Sequence, residues 1–483
     1  MTATAARQPV GLGSVRPRPR WRELALLVLV GLTLVVGSLS LGSTEAWLGS
    51  RGPGGVPPEA RLADLGQLVV FLGAFLVVHL AMVLTARRVD QVLLPAVALL
   101  GGIGLLLMER LPQDLAGAYG GLSQTQLLWW LLATAVLGGL AVVVRSDAWL
   151  RLYRYSWAAL GIALLLLTFV FGEEVNGARL TLTIGPISGQ PTELLKVLLV
   201  VFLAGYLSEN RPLLAESDLR IGPIRLPPLP YLAPMVAMWA IALSIVVVQR
   251  DLGAAMLFFA VFLALLYVAT ARWSYVIVGI LLFAAGAAIS YALFAHVRIR
   301  VDIWLDPWAD PLGAGYQVVQ ALIAFARGGL IGTGLGAGLP EVGGRPPIPA
   351  IHTDFPLAAL GEELGLVGLL AILGLYLVII ERGLRIAASA VDEFRAILAA
   401  GLALVIGVQA FIIAAGNLKL IPLTGITVPF ISYGGSSLLA NALIIGLLLA
   451  ISDPGVDPPP IPRRPRRLRG AAARRASAVG GSR

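Results

Sequence analysis

Runs of about 20 apolar residues recur along the whole of this 483-residue chain, and they leave few folds open. A run of that length crosses a hydrocarbon core of about 30 Å as a helix. Lipid offers backbone N–H and C=O groups no water, so a spanning segment is a helix or part of a closed barrel. The runs are continuous rather than alternating, which selects helices. Twelve spans are predicted, near 24–43, 66–86, 91–109, 127–144, 156–172, 191–208, 230–249, 252–270, 273–295, 357–380, 396–416 and 430–451. The expected fold is therefore all-α, a polytopic integral membrane protein of about 12 transmembrane helices. Charged residues make up 13% of the chain, against about 25% in a soluble domain.

The formal net charge of +9 points to orientation rather than to nucleic acid. Arg16, Arg18, Arg20 and Arg22 precede the first span, and Arg87, Arg88, Arg145, Arg151 and Arg154 fall in alternate loops. Arg211, Arg220, Arg225, Arg272, Arg382, Arg385 and Arg395 continue the alternation, and a tail from Arg463 to Arg475 completes it. This is the positive-inside pattern, with both termini expected in the cytoplasm. The other use for such charge is anionic lipid. The absence of cysteine excludes disulfides, thiolate zinc sites and cysteine nucleophiles. His79, His296 and His352 are too scattered for a histidine zinc site.

In that orientation three polar stretches lie outside, at 173–190, 296–356 and 416–429. All three end at outer helix mouths, so they are expected to line one cavity. The middle one runs for some sixty residues from His296 to Pro356, long for a connection unless it binds something or does chemistry. Residues 453–483, rich in Pro and Arg, have almost nothing to bury and are expected to be disordered.

Lys196 and Lys419 are the only lysines. Lys196 sits just inside the sixth span, three residues after Glu193 and so on the same helix face. An ionised group near mid-membrane costs about 2.5–3.5 kcal/mol. The pair therefore either locks helices together or faces a polar cavity and meets an anionic substrate. Asp310 opens the sequence DPLGAGYQ, where Pro311 keeps it out of helical geometry and Gly313 and Gly315 permit tight turns. Its carboxylate either caps that turn or does chemistry from it. Trp304, Trp308 and Tyr316 are suited to stacking on sugar rings or to headgroup depth. Thr353 or Asp354 is expected to cap the tenth span, and Glu362 and Glu363 to sit in its first turns. The glycine-rich 329–338 follows no strand and reads as close backbone packing. In FISYGGSS, Gly434 and Gly435 allow close helix approach, and Ser432, Ser436 and Ser437 can bond between helices.

Eight segments, in order, resemble the shape, elongation, division and sporulation (SEDS) family, the FtsW/RodA/SpoVE proteins. They are NGAR from Asn176, QPTELLK from Gln190, QRDLG from Gln249, DPLGAGYQ from Asp310, HTDF from His352, GEELG from Gly361, ERGLRIA from Glu381 and IPLTGITVPFISYGGSS from Ile421. The resemblance divides the chain into a basic lead (1–22), two added N-terminal helices (23–90), a ten-helix core (91–452) and the tail (453–483). A large extracytoplasmic loop would lie between helices 9 and 10. Lys419 stands where the family has a typical small residue, and Ala350 where an acid often precedes HTDF.

The resemblance implies a peptidoglycan glycosyltransferase of the bacterial cytoplasmic membrane. Such an enzyme polymerises lipid II into glycan strands on the outer face during elongation or division, with a class B penicillin-binding transpeptidase as partner. Asp310 matches the family's essential aspartate, and Glu193 and Lys196 its polar pair. Diphosphate is a good leaving group, so one carboxylate base suffices and a glycosidase-like pair is not required. The reaction would invert the anomeric centre. Substrate contacts are expected from Gln190, Glu193, Lys196, Arg179, Arg298, Arg300, Trp308, Tyr316, His352, Asp354 and Ser432. The only cofactor in view is a divalent cation, Mg or Mn, with Asp310 as its ligand. Lipid-linked glycan as donor and acceptor, the transpeptidase and membrane lipids complete the expected partners. The rival readings are a flippase or transporter of lipid-linked precursor and a non-catalytic scaffold of the cell-wall machinery.

Overall fold

The computed structural model describes residues 17–50, 65–115, 121–175, 178–184, 187–215, 219–221, 224–226, 240, 251–338 and 346–453. Its helices are α1 (Trp21–Ser50), α2 (Leu65–Leu84), α3 (Leu93–Arg110), α4 (Leu122–Val143), α5 (Ala148–Leu152), α6 (Arg154–Phe171) and α7 (Pro191–Ala215). They continue as α8 (Leu252–Thr270), α9 (Trp273–Leu293), α10 (Ala295–Leu305), α11 (Tyr316–Gly328), α12 (Pro356–Ala388), α13 (Glu393–Asn417) and α14 (Gly435–Ser452). Among the described residues, eleven helices are long and apolar enough to cross a membrane; α5, α10 and α11 are not. The expected span at 230–249 and the tail beyond 453 lie outside the described residues. The chain leaves α7 on one face of the bundle and enters α8 on the other.

One face carries the start of α1 and the end of α14; we call it the terminal face. Among the described residues, the arginines that alternate along the sequence gather there, and several are buried in clamps between helices. Arg87 donates to Asp453 at 3.0 Å and to the Val142 carbonyl at 3.1 Å. Arg395 donates to Asp147 at 2.8 Å, while Arg211 pairs with Glu393 at 2.8 Å on the surface. Arg20 pairs with Glu23 and donates to the carbonyls of Arg87, Val89 and Asp90, so α1 is tied to the start of α3. The second Glu23 oxygen lies 2.6 Å from His79 Nδ1 on α2. Removing one partner of a buried pair costs about 3–5 kcal/mol, because the other charge stays behind unpaired.

The opposite, loop face shows how local sequence shapes the polar stretches. The described residues of the first polar stretch are strands: β1 (Glu173–Val175), β2 (Ala178–Ile184) and β3 (Ile187–Gly189) form an antiparallel sheet in which Glu174 opposes Arg179. Small strands thus ornament a bundle that is otherwise helical. The long connection before α12 folds as α10, a short 3-10 turn (Pro307–Ala309) and α11. Helix α11 presents Val318, Val319, Ala321 and Ala324 to the core and lies against α12. Helix α12 breaks at Gly365, where φ is +68°. The glycine-rich strip fills that break: Leu366 and Val367 donate to the carbonyls of Gly329 and Leu330, at 3.0 and 3.1 Å. Thr333 and Gly334 donate to those of Glu362 and Glu363, at 2.9 and 3.0 Å. Close backbone packing accounts for these glycines, since a side chain would separate the two strips.

The turn before α14 is held from the side by the N-terminal hairpin. Phe71 and Phe75 of α2 pack on Trp130 of α4, which stacks on Phe430 at 6.2 Å. Phe430 has φ +69°, a left-handed conformation uncommon for a bulky residue. A Cβ added at Gly104 would lie 2.6 Å from the Ile431 carbonyl, so α3 needs glycine at that contact.

Candidate active site

Two polar centres lie toward the loop face, one buried and one exposed. The buried one is built on Lys196, 2% exposed, whose Nζ donates to three acceptors. These are Glu193 Oε2 at 2.6 Å, Gln409 Oε1 at 2.8 Å and Asn441 Oδ1 at 2.9 Å. The i, i+3 spacing on α7 gives the first; α13 and α14 supply the others. Gln409 Nε2 donates to the Thr427 carbonyl at 2.9 Å, and Thr427 and Ser437 share a hydrogen bond at 2.7 Å. All three Lys196 protons are therefore spent within the bundle. Sequence reasoning found the Lys196–Glu193 pair but missed Gln409, Asn441 and Thr427. The signal was available for the first two, as amides inside otherwise apolar spans.

A small polar cleft of about 20 Å³ lies beside this hub, lined by Gln190, Glu193, Lys196, Asp251 and Gln409 among others. Gln190 is held by its backbone N–H, which donates to Ser436 Oγ at 3.0 Å. Asp251 caps α8 through the Ala254 N–H at 2.9 Å. The first turns of α8 separate two spaces. Asp251, Ala254, Leu257 and Phe258 face the polar cleft, while Leu252, Ala255, Met256 and Phe259 face a second cavity. That cavity, about 710 Å³, runs between α8, α9 and α10 and is almost wholly apolar. Arg300, Trp304 and Thr424 stand on its polar wall.

Helix α10 is pinned to the segment before α14. Arg300 donates to the carbonyls of Leu423 and Thr424, at 3.2 and 3.0 Å, and Trp304 Nε1 to that of Lys419 at 3.1 Å. Lys419 returns a bond to the Leu305 carbonyl at 3.3 Å. The stretches 296–356 and 416–429 therefore do meet, as Gln190 and Ser436 bring 173–190 toward the same mouth.

Neither Thr353 nor Asp354 caps α12. Phe355 occupies that position without a side-chain bond and Pro356 opens the helix, a place that tolerates its missing N–H. The Asp354 N–H instead closes a turn onto the Ala350 carbonyl at 2.9 Å. Its carboxyl faces Gly425 and feels the Arg300 charge. Burial raises its pKa from 3.8 to about 6, against the opposing pull of the Thr353 hydrogen bond and Arg300. A carboxyl whose folded pKa is raised contributes stability that is complete below its unfolded value and disappears as pH rises through the folded one. The thermal midpoint of the wild-type protein should therefore fall, relative to Asp354→Asn, as pH is raised from 3.8 through about 6. Parallel midpoints across that window would mean that Asp354 is not held in this environment. Burial pushes the neighbouring His352 imidazole down; its ring lies 5.9 Å from that of Tyr433.

Asp310 lies apart from the hub and is exposed. Its two oxygens accept from the N–H groups of Gly313 and Ala314, at 3.0 and 2.8 Å. Its carbonyl accepts from Gly315 at 3.0 Å. The turn reading of this aspartate is thus realised, and it leaves the carboxylate fixed and open to solvent. Each oxygen keeps a second lone pair for a proton or a cation.

The other candidates divide between surface and frame. Arg298 is exposed, donates to the Ala292 carbonyl at 3.1 Å and lies 5.8 Å from the Tyr291 ring centre. Trp308 is exposed beside Asp310, and Tyr316 begins α11 just beyond the Asp310 turn. Arg179 stands on β2, a strand that packs near α6 and α7. Ser432 is buried: it donates to the Thr353 carbonyl at 2.6 Å and accepts from Val428 N–H at 2.8 Å. It latches the FISYGG turn to the HTDF turn and offers little to a ligand.

A helical membrane bundle with a lysine hub, an apolar side cavity and a carboxylate on a structured loop defines the class: a polytopic protein built to handle a lipid-borne polar group. The chain belongs to the FtsW/RodA/SpoVE family, whose model, described as "Cell cycle protein", matches residues 90–454. It is 40% identical over 456 residues to peptidoglycan glycosyltransferase RodA of Mycobacterium tuberculosis, covering 93% of this chain and 94% of the relative. It is 37% identical over 376 residues to a probable peptidoglycan glycosyltransferase FtsW of Nitrosococcus halophilus, covering 75% and 92%. Among solved structures, it resembles a chain of a peptidoglycan synthase complex described as coordinating polymerization and crosslinking. The TM-score is 0.60 at 27% identity, over 76% of this chain and 98% of that one. The rod shape determining protein RodA of Thermus thermophilus matches with TM-score 0.52 at 25% identity, over 76% and 97%.

Proposed function

We propose that this protein is a peptidoglycan glycosyltransferase that polymerises lipid II into glycan strands. The observation that carries the reading is the apolar cavity of about 710 Å³ beside α8, with Arg300 on its wall. The cavity suits a long hydrocarbon chain, and the Arg300 guanidinium suits an anionic diphosphate at its polar end. The curated names of the relatives support the same chemistry.

In the reaction, the 4-hydroxyl oxygen of the acceptor sugar bonds to the anomeric carbon of the donor. The bond from that carbon to the diphosphate oxygen breaks, and the diphosphate leaves with the electron pair. Asp310 takes the hydroxyl proton, and attack from the face opposite the diphosphate inverts the centre. Two backbone N–H groups hold the carboxylate in place, so little reorganisation is needed. Arg300, with Arg298 exposed nearby, offers charge to the departing diphosphate. Lys196 acts from behind, by holding Glu193 and the cleft wall in shape.

A divalent cation fits Asp310 as a single protein ligand, since Mg²⁺ is usually held by one or two carboxylates together with substrate phosphates. When bound, it would neutralise charge on the diphosphate. A class B penicillin-binding transpeptidase is the proposed partner, in keeping with the complex that the fold resembles. The arginines of the terminal face support a cytoplasmic position for that face in a bacterial cell, with Asp310 outside.

The chain has no cysteine, so single cysteines report topology cleanly. A cysteine at Leu312, 89% exposed, is expected to react with an impermeant maleimide on intact spheroplasts, and one at Ser389 only after lysis. The reverse pattern would remove Asp310 from the outer face. In proteoliposomes, outward-facing lipid II should be converted to polymer. Headgroup translocation without polymer would instead support a flippase.

A further inference from the structure

The terminal face holds a groove of about 540 Å³ that the glycosyltransferase reading does not use. It is lined by Arg88, Val89, Asp90, Arg385, Ser389 and Ser452, among others, where the start of α3 meets the ends of α12 and α14. Its charge is not balanced. Asp90 is engaged: Oδ1 accepts from the Val92 and Leu93 N–H groups at 2.8 and 3.0 Å, and Oδ2 lies 3.6 Å from Arg382. Glu381 pairs with Arg382 and Arg385. Three arginines thus meet two carboxylates, and the unmatched charge is on Arg88. That side chain is exposed. It has no ion pair or hydrogen bond among the described residues, as is also true of Arg22, Arg145 and Arg151 on the same face; Arg88 is the one of these that lines the groove.

We infer that this groove binds the phosphate headgroup of an anionic phospholipid in the leaflet at the terminal face. The groove lies at the ends of spanning helices, the depth of lipid headgroups. Leu84, four residues before Arg88, and Leu384, next to Arg385, are exposed and offer apolar surface for acyl chains. Basic pockets between membrane helices recognise such headgroups. By charge, residues 453–483 are no counterpart to the groove: they carry eight arginines against two aspartates. Both attract the same anionic surface, and only the groove can single out one lipid molecule.

The inference rests on the proposed orientation only for which leaflet supplies the lipid. A test in nanodiscs, which expose both leaflets, is independent of orientation and of polymerisation. Wild-type protein, Arg88→Gln, the Arg88→Gln/Arg385→Gln pair and a chain lacking 455–483 would be compared in phosphatidylcholine nanodiscs with and without phosphatidylglycerol. Thermal midpoints and lipids retained on gentle release into the mass spectrometer would be measured. Phosphatidylglycerol should raise the wild-type midpoint and remain bound as a single adduct. Both effects should survive tail deletion, weaken in Arg88→Gln and vanish in the double variant, while midpoints in neutral lipid stay equal. Inorganic phosphate at millimolar concentration should not reproduce the shift. A shift equal in wild type and double variant, one that disappears with the tail, or one that free phosphate reproduces would overturn the site.

Discussion

Purified Asp310→Ala protein is expected to make glycan from lipid II at about 10²–10⁴-fold below the wild-type rate, the usual worth of a positioned general base. Its thermal midpoint should change little. Asp310 is exposed, and what it gives the fold is two bonds to the N–H groups of Gly313 and Ala314 in a surface turn. Those bonds also name the rival explanation, since losing them could misplace the loop rather than remove a base. Asp310→Asn separates the two. The amide oxygen can still accept one of the turn bonds but cannot take the acceptor's proton. Turnover as low in Asp310→Asn as in Asp310→Ala, with the thermal midpoint unchanged, fits the base. Recovery in Asp310→Asn toward the wild-type rate would reduce Asp310 to a turn residue.

The second large effect is expected at Lys196. Lys196→Ala strands Glu193 beside Gln409 and Asn441, whose oxygens lose the donor they share. Breaking a buried pair in this way costs about 3–5 kcal/mol, enough to lower the thermal midpoint and the yield of folded protein together. Loss of polymerisation by this variant would then say little about substrate. The informative protein is Glu193→Gln/Lys196→Met, which removes both charges and keeps the volume. Neutral replacements of buried pairs are often tolerated, so this variant should regain most of the stability. If the pair shapes the cleft for an anionic ligand, polymerisation stays low. Full recovery of activity with stability would make the pair a helix lock and nothing more.

The parts that local sequence made legible are those whose physics is local. Span length, the arginines that alternate between loops and the turn chemistry around Asp310 need no knowledge of what lies across the bundle. The pairing of Glu193 with Lys196 was legible for the same reason, since three residues along a helix share a face. The capping role expected of Thr353 or Asp354 went astray because Pro356 already opens α12 and the Asp354 N–H closes back onto Ala350. The long connection from His296 hid two helices. Helix α11 owes its order to an apolar face that only α12 can cover.

Sequence alone determined that this chain is a many-helix membrane protein, with an aspartate held in a polar segment and one lysine inside a span. Hydrocarbon thickness, the cost of unpaired backbone groups in lipid and the fixed spacing of a helix suffice for that. Only the tertiary structure decided that Gln409 and Asn441 complete the lysine's shell, that Ser432 is a latch, and that α8 divides a polar cleft from an apolar cavity. Those facts depend on how far each helix turns about its own axis when packed. That rotation is settled by side chains meeting across the bundle, in which residues two hundred positions apart have equal say.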